Sequence, residues 1–342
     1  MDRYGFLDDY SEGAHPRVIE ALARCNAGRQ VSYGGDEHSA RARTLIRERV
    51  ALPDAAVHLV ASGTLANLLC IASALRPHEA VICATTGHIA VHEAGAIEAT
   101  GHKLIGVPAP DGKLTPALIE TALAANAHFP HMARPRLVYV SNATELGTVY
   151  RRAELEALSA LCRDRGLLLM VDGARLGTAL GADANDLTLA DVARLADTFW
   201  IGGTKNGVLL GEAIVIPNER LAEDFAFHVK QRGAMLAKGR VLGIQFETLF
   251  GDDLFLELAR HANAMARTLS AGLVDAGVEL SAPTESNQVF PILPDTSIER
   301  LRERFDFHVW GRVDENRSAI RLVTSWATEE RAVRALLASL DG

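Results

Sequence analysis

Residues 197–216 read DTFWIGGTKNGVLLGEAIVI. Two apolar runs of strand length flank a polar turn, and Lys205 stands at its tip among Gly202, Gly203, Asn206 and Gly207. Glycine admits backbone paths that bring the main chain close to a ligand. A lysine at the end of a buried strand loses solvent, which lowers its pKa and favours a neutral, nucleophilic amine. One chemistry that uses such an amine is a Schiff base with pyridoxal 5′-phosphate (PLP). The glycine spacing is not that of the GxxxxGK[ST] phosphate loop. Taken alone, the turn fits a solvated hairpin lysine better.

On the N-terminal side of this stretch, helical and strand patterns alternate. PRVIEALARCNAG, EHSARARTLIRERVAL, TLANLLCIASAL, VHEAGAIEATG and RAELEALSALCRDRG have helical spacing. EAVICA, RLVYVSNA, LLLMVDGAR and DTFWIG read as strands apolar on both faces. Such strands, separated by helices, imply a mostly parallel sheet covered on both sides. On the C-terminal side, one long helical region is expected from about 218 to 250, then DLFLELARHANAMARTLSAGLVDAG, with short strands at QVFPIL and SAIRLVTS. The expectation is a large α/β/α unit over residues 1–250, including an N-terminal arm, and a smaller α+β unit over 251–342.

The 342 residues carry 35 Lys and Arg against 43 Asp and Glu, a formal charge of -8, which disfavours nucleic acid and anionic membranes as partners. The most apolar stretch, LVASGTLANLLCIASAL, is interrupted by polar residues and does not read as a membrane span. The acidic N-terminus lacks the plan of a signal peptide. Cys25, Cys70, Cys83 and Cys162 show no CxxC spacing. A cytoplasmic protein with reduced thiols and no zinc site is expected.

Four further features carry chemistry. Asp172 ends an apolar run, where parallel sheets bind ligands. A buried carboxylate there needs a cation, and a protonated pyridine nitrogen supplies one; Arg175 is three residues on, and a plain Asp–Arg pair is the alternative. Ser62, Gly63 and Thr64 precede a helix whose free N–H groups suit a phosphate, or form an ordinary N-cap. His88 and His92 share a face if helical; zinc would need a third ligand, whereas an imidazole can stack on a cofactor ring. Arg321, inside an apolar strand, suits a substrate carboxylate, or snorkels from an edge.

The order of these parts is that of PLP enzymes of the aspartate aminotransferase fold. From Asp9 to about Arg331 the chain resembles the threonine aldolase (β-eliminating lyase) family through SGTLAN, HIAVHEAG, DGARLG, GGTKNG and IRLVTS. The resemblance implies fold type I, with the large α/β/α and small C-terminal units above, and PLP as cofactor. It implies a low-specificity aldolase that cleaves L-threonine, L-allo-threonine and other β-hydroxy-α-amino acids, phenylserine among them, to glycine and an aldehyde. Lys205 takes the place of the Schiff-base lysine, Asp172 that of the partner of the ring nitrogen, and His88 that of the stacking histidine that helps move the hydroxyl proton. Ser62, Gly63 and Thr64 match the phosphate site, and Arg240 matches a phosphate contact from a neighbouring subunit. Arg175 and Arg321 match carboxylate-binding arginines, and Tyr33 a tyrosine that reaches a neighbour's site. Asp9 and His92 fall at the substrate site. A homotetramer of two dimers follows from the same resemblance. The lysine turn differs from the SKGLGAP of many members. The family's second histidine falls near SNATELGTVY, where this chain has Thr144 and Glu145. Hydroxyl recognition through His92 or Glu145 is therefore expected. The alternatives are another PLP-dependent β-elimination, or a non-catalytic binding protein of this fold.

Overall fold

A computed structural model describes residues 3–340. After a short strand β1 (Tyr4–Gly5), seven strands build the main sheet: β2 (Ala56–Val60), β3 (Glu79–Ala84), β4 (Lys103–Val107), β5 (Arg134–Ser141), β6 (Leu168–Asp172), β7 (Thr198–Gly202) and β8 (Glu212–Ile216). Their order is β2-β8-β7-β6-β5-β3-β4. Every pair is parallel except those of β8, which runs antiparallel to β2 and β7. The apolar runs are continuous because both faces are covered. Ile82, Val138, Leu169, Phe199 and Ile201 enter one core, and the alternate residues Val81, Leu137, Met170 and Trp200 enter another on the opposite face.

The later strands are β9 (Gln288–Val289), β10 (Ile292–Pro294), β11 (Phe305–Asp306), β12 (His308–Arg312) and β13 (Arg317–Val323). β10, β13 and β12 lie side by side, β9 pairs with the end of β13, and β1 runs parallel to β11. A third core of Leu269, Val289, Ile320, Leu322 and Leu336 forms here, and it takes in Phe6 from the N-terminal segment. The helix Leu254–Asp275 joins the cores: Leu254, Phe255 and Leu258 pack in the first, Ala266, Leu269 and Leu273 in the third. Among the described residues no helix is long and apolar enough to cross a membrane. All four cysteines are free thiols.

Two expectations are corrected. The stretch 91–101 is not a helix. A single turn, His88–Val91, is followed by bends with Ala94 at φ 50 and Gly95 at φ 73, and then a 3-10 turn, Glu98–Thr100. The buried carboxylate of Glu93 bonds Asn67 and His88, which turns the chain inward before a second helical turn forms. The region 218–250 is three helices, Glu219–Ala222, Phe225–Gln231 and Arg240–Gly251. Gly233 at φ 73 breaks it, and Gly239, which lies against the backbone of Gly34, caps the third. Strands β2 and β4 and the helix Pro116–Ala125 went unread.

Candidate active site

Strands β5, β6 and β7 end at Ser141, Asp172 and Gly202 on the carboxyl edge of the sheet, where crossover topology opens a crevice. A cavity of about 650 Å³ lies there. Ser62, Gly63, Thr64, His88, His92, Asp172, Arg175, Lys205 and Arg321 all line it.

Asp172 is buried and accepts three hydrogen bonds: from the Ala174 N–H (2.9 Å), the Asn67 amide (2.9 Å) and the Tyr139 hydroxyl (2.5 Å). Burial and the neighbouring Asp172 charge push the Tyr139 phenol well above its usual range, so it stays a donor. Lys205 follows β7 on a turn that glycine makes possible. A Cβ at Gly203 would lie 2.7 Å from the Gly211 carbonyl oxygen, and Gly207 sits at φ 87. Burial, then the Arg175 charge, lowers the Lys205 pKa; Asp9, Asp172 and Glu212 oppose the shift. No carboxylate lies within ion-pair distance of its amine among the described residues. The turn is held from β8 by Glu212, which accepts from the Gly203 N–H (2.9 Å) and the Thr204 hydroxyl (2.8 Å). Burial pushes the Glu212 carboxyl up to about 7.

Ser62 caps the helix Gly63–Ala74, accepting from the Leu65 N–H at 3.4 Å. The N–H groups of Gly63 and Thr64 open the first turn, where a helix has no internal acceptor for them. A Cβ at Gly63 would meet the Trp200 indole at 2.9 Å, so this helix end and β7 pack as closely as glycine allows.

His88 donates its backbone N–H to Glu145 (2.9 Å), and its ring Nδ1 lies 2.8 Å from Glu93 Oε1. Its ring centroid is 5.5 Å from that of His92, whose pKa is lowered by burial and then by the His88 charge. Glu145 lines the cavity and also accepts from Ser141 Oγ (2.7 Å); burial raises its pKa. Thr144 turns away, its hydroxyl bonded to Thr148 at 2.7 Å.

The arginines differ. Arg175 makes a two-pronged pair with Asp9, at 2.8 and 3.0 Å. Asp9, expected at the substrate site, is buried, also accepts from Asn287 (2.9 Å) and does not line the cavity. Burial raises the Asp9 pKa, and the Arg175 and Lys205 charges outweigh that, leaving it lowered. Arg321 lies on β13 opposite His308, its guanidinium 4.9 Å from the Trp310 ring centroid. Its Nε is buried without a partner, and no carboxylate pairs with it among the described residues. Burial, then Arg175, lowers its pKa.

Tyr33 and Arg240 lie outside the cavity. Tyr33 is half exposed, with the Lys230 amine 4.4 Å from its ring centroid. Arg240 opens the helix Arg240–Gly251 and donates to the Gly28 carbonyl at 2.5 Å. The sequence reading missed Asn67, Glu93, Tyr139 and Glu212. For Glu212 the signal was present: a lone carboxylate in the apolar run GEAIVI.

A strand-end carboxylate, a desolvated lysine and an open helix end around one crevice define the PLP-dependent enzymes of fold type I. A Thermus thermophilus aspartate aminotransferase mutant superimposes with a TM-score of 0.75 at 17% identity, over 99% of this chain and 91% of that one, which establishes the same fold. The chain belongs to the beta-eliminating lyase family, whose model matches residues 6–296. A low specificity L-threonine aldolase from a Pseudomonas species is 38% identical over 98% of this chain and 96% of its own length. A Leishmania major threonine aldolase structure is 50% identical, with a TM-score of 0.97, over 99% of this chain and 98% of that one.

Proposed function

We propose that this chain is a PLP-dependent aldolase that cleaves L-threonine, L-allo-threonine and other β-hydroxy-α-amino acids to glycine and an aldehyde. One observation carries the reading: Lys205, Asp172 and the open start of the helix Gly63–Ala74 share a single cavity with Arg321, a cation that has no carboxylate partner among the described residues. The donor set fits PLP. Lys205 supplies the amine for attachment. Asp172 has three donors in place and keeps acceptor capacity for a ring N–H. Ser62, Gly63 and Thr64 supply hydroxyls and N–H groups for a phosphate. When bound, PLP supplies an aromatic ring that accepts the electron pair left on Cα as the Cα–Cβ bond breaks.

The chain's own residues do the rest. Arg321, aided by Arg175, would hold the substrate carboxylate and so orient the substrate at Cα. His88, at the cavity wall, takes the proton of the β-hydroxyl. Glu145 and His92 stand within the same wall and are the candidates for recognising that hydroxyl. The names of the Pseudomonas and Leishmania relatives support the substrate class. A cytoplasmic homotetramer of two dimers, with Tyr33 and Arg240 reaching the neighbouring subunit's site, belongs to the same proposal. So does a division of the chain near Gly251, where the helix Leu254–Asp275 begins to bridge the cores.

The test is an assay for glycine and aldehyde over threonine, allo-threonine and phenylserine, run on the wild type and on Lys205→Ala. The expected result is stoichiometric glycine and aldehyde from the wild type and none from the variant. Ammonia and a keto acid without glycine would replace the reading with a β-elimination, and equal turnover by Lys205→Ala would end it.

A further inference from the structure

We infer that Glu93 is the residue that makes His88 a base: it fixes the imidazole in the Nδ1–H form and leaves Nε2 bare to take the substrate proton. This rests on the aldolase reading only for the identity of that proton.

The argument is one of donors and acceptors. Trp200 Nε1–H can only donate, and it lies 2.9 Å from Asn67 Oδ1. That contact fixes the amide, so the two N–H bonds of Asn67 Nδ2 face the carboxylates at 2.7 Å (Glu93 Oε1) and 2.9 Å (Asp172 Oδ2). Glu93 Oε1 is therefore an acceptor, and His88 Nδ1 sits 2.8 Å from that same oxygen. A proton shared between a carboxylate and an imidazole rests on the imidazole, the stronger base. Nδ1 consequently carries the hydrogen, and Nε2 is the only ring nitrogen left for the cavity that His88 lines. The Glu93 side chain has no solvent exposure, and its second oxygen has no partner among the described residues.

In the reaction the substrate O–H bond breaks, the proton moves to His88 Nε2, and the resulting imidazolium faces a buried carboxylate across Nδ1–H. A carboxylate that orients a general base in this way acts through the base and does not touch the substrate. The same Asn67 amide touches Asp172, so the base and the site offered to the ring nitrogen are braced by one side chain. His88 and Glu93 are five positions apart, and the one-turn helix that ends at Val91 is what lets the two side chains meet.

Two measurements test the inference. In Glu93→Ala, Nδ1–H loses its acceptor and the ring is free to take the Nε2–H form. The expected result is a fall in kcat for glycine release on the order of 10²-fold, with KM changed much less. The second measurement needs no cofactor. Ring 15N spectra of cofactor-free enzyme with labelled histidine, His88 assigned by its loss in His88→Asn, are recorded at alkaline pH where imidazole is neutral. The expected wild-type signal is Nδ1–H with an unprotonated Nε2, shifting toward Nε2–H in Glu93→Ala. A wild-type Nε2–H tautomer overturns the inference, and so does a Glu93→Ala enzyme with unchanged kcat. Should Glu93→Ala fail to fold, the wild-type spectrum decides alone. A wild type that releases no aldehyde would sink the aldolase reading while leaving the tautomer result to be judged separately.

Discussion

Glu212 sits in the middle of the sheet's crevice, bonded to the turn that carries Lys205, in a strand otherwise apolar. Burial raises its folded pKa to about 7, above the value in an unfolded chain. Between the two values the native state holds a proton that the unfolded state has lost. Stability therefore falls as pH rises from the ordinary glutamate range to about 7, by up to roughly 3 kcal/mol, and is flat above. Glu212→Gln should abolish that slope in cofactor-free enzyme: matched stability at pH 5, and a variant more stable than the wild type at pH 8, read by urea unfolding. Parallel curves for the two proteins would contradict the assignment. Arg321→Ala should lower kcat/KM for threonine about 10²- to 10³-fold, because the substrate carboxylate loses its uncommitted cation. Unchanged kinetics would move carboxylate binding to Arg175. Lys205, Asp172 and Arg321 were legible in the sequence because a charge beside or within an apolar strand is conspicuous. Asn67, Glu93 and Tyr139 were not, because their roles exist only once Asn67 meets Asp172 across 105 residues.

Between elements, the helices Glu37–Val50 and Arg240–Gly251 approach closely. A Cβ at Gly243 would lie 2.4 Å from Ser39 Oγ and 2.5 Å from Ser39 N. The Ser39 side chain is itself tied to the cap residue Asp36 at 2.8 Å, so it cannot swing aside freely. Gly243→Ala should destabilise the protein by about 1–3 kcal/mol, seen as a lower urea midpoint with an unchanged slope. No loss would mean that the helices part at little cost. At this scale the buried strands and the longer helices were legible, since period and length agree. The errors came where tertiary contacts overrode the local pattern. The stretch VHEAGAIEATG has helical spacing and strong helix formers, yet burial of Glu93 and the positive φ of Gly95 turn it into bends. β2 and β4 are short and only partly buried, so their patterns do not stand out.

For the whole molecule, the N-terminal segment threads from the third core, through Phe6, to Asp9 behind Arg175, so both ends of the chain contribute to the crevice. Tyr33 and Arg240 lie outside it, and the proposed dimer gives them a site to reach. If they do, mixing Lys205→Ala with Arg240→Ala subunits after dissociation should restore about a quarter of wild-type activity, since half the dimers then hold one intact site in two. No recovery, or a fully active Arg240→Ala enzyme, would remove Arg240 from the shared site. The mostly parallel sheet and its strand-end crevice were legible because alternating helices and doubly apolar strands admit few topologies. The passage of the N-terminal segment into the third core was not, since nothing local in MDRYGFLDDY marks a long-range pairing. The most direct test reduces the PLP-loaded enzyme with borohydride and maps the labelled peptide by mass spectrometry. The phosphopyridoxyl group is predicted on Lys205, within GGTKNG; a label on another lysine, or none at all, would contradict the account.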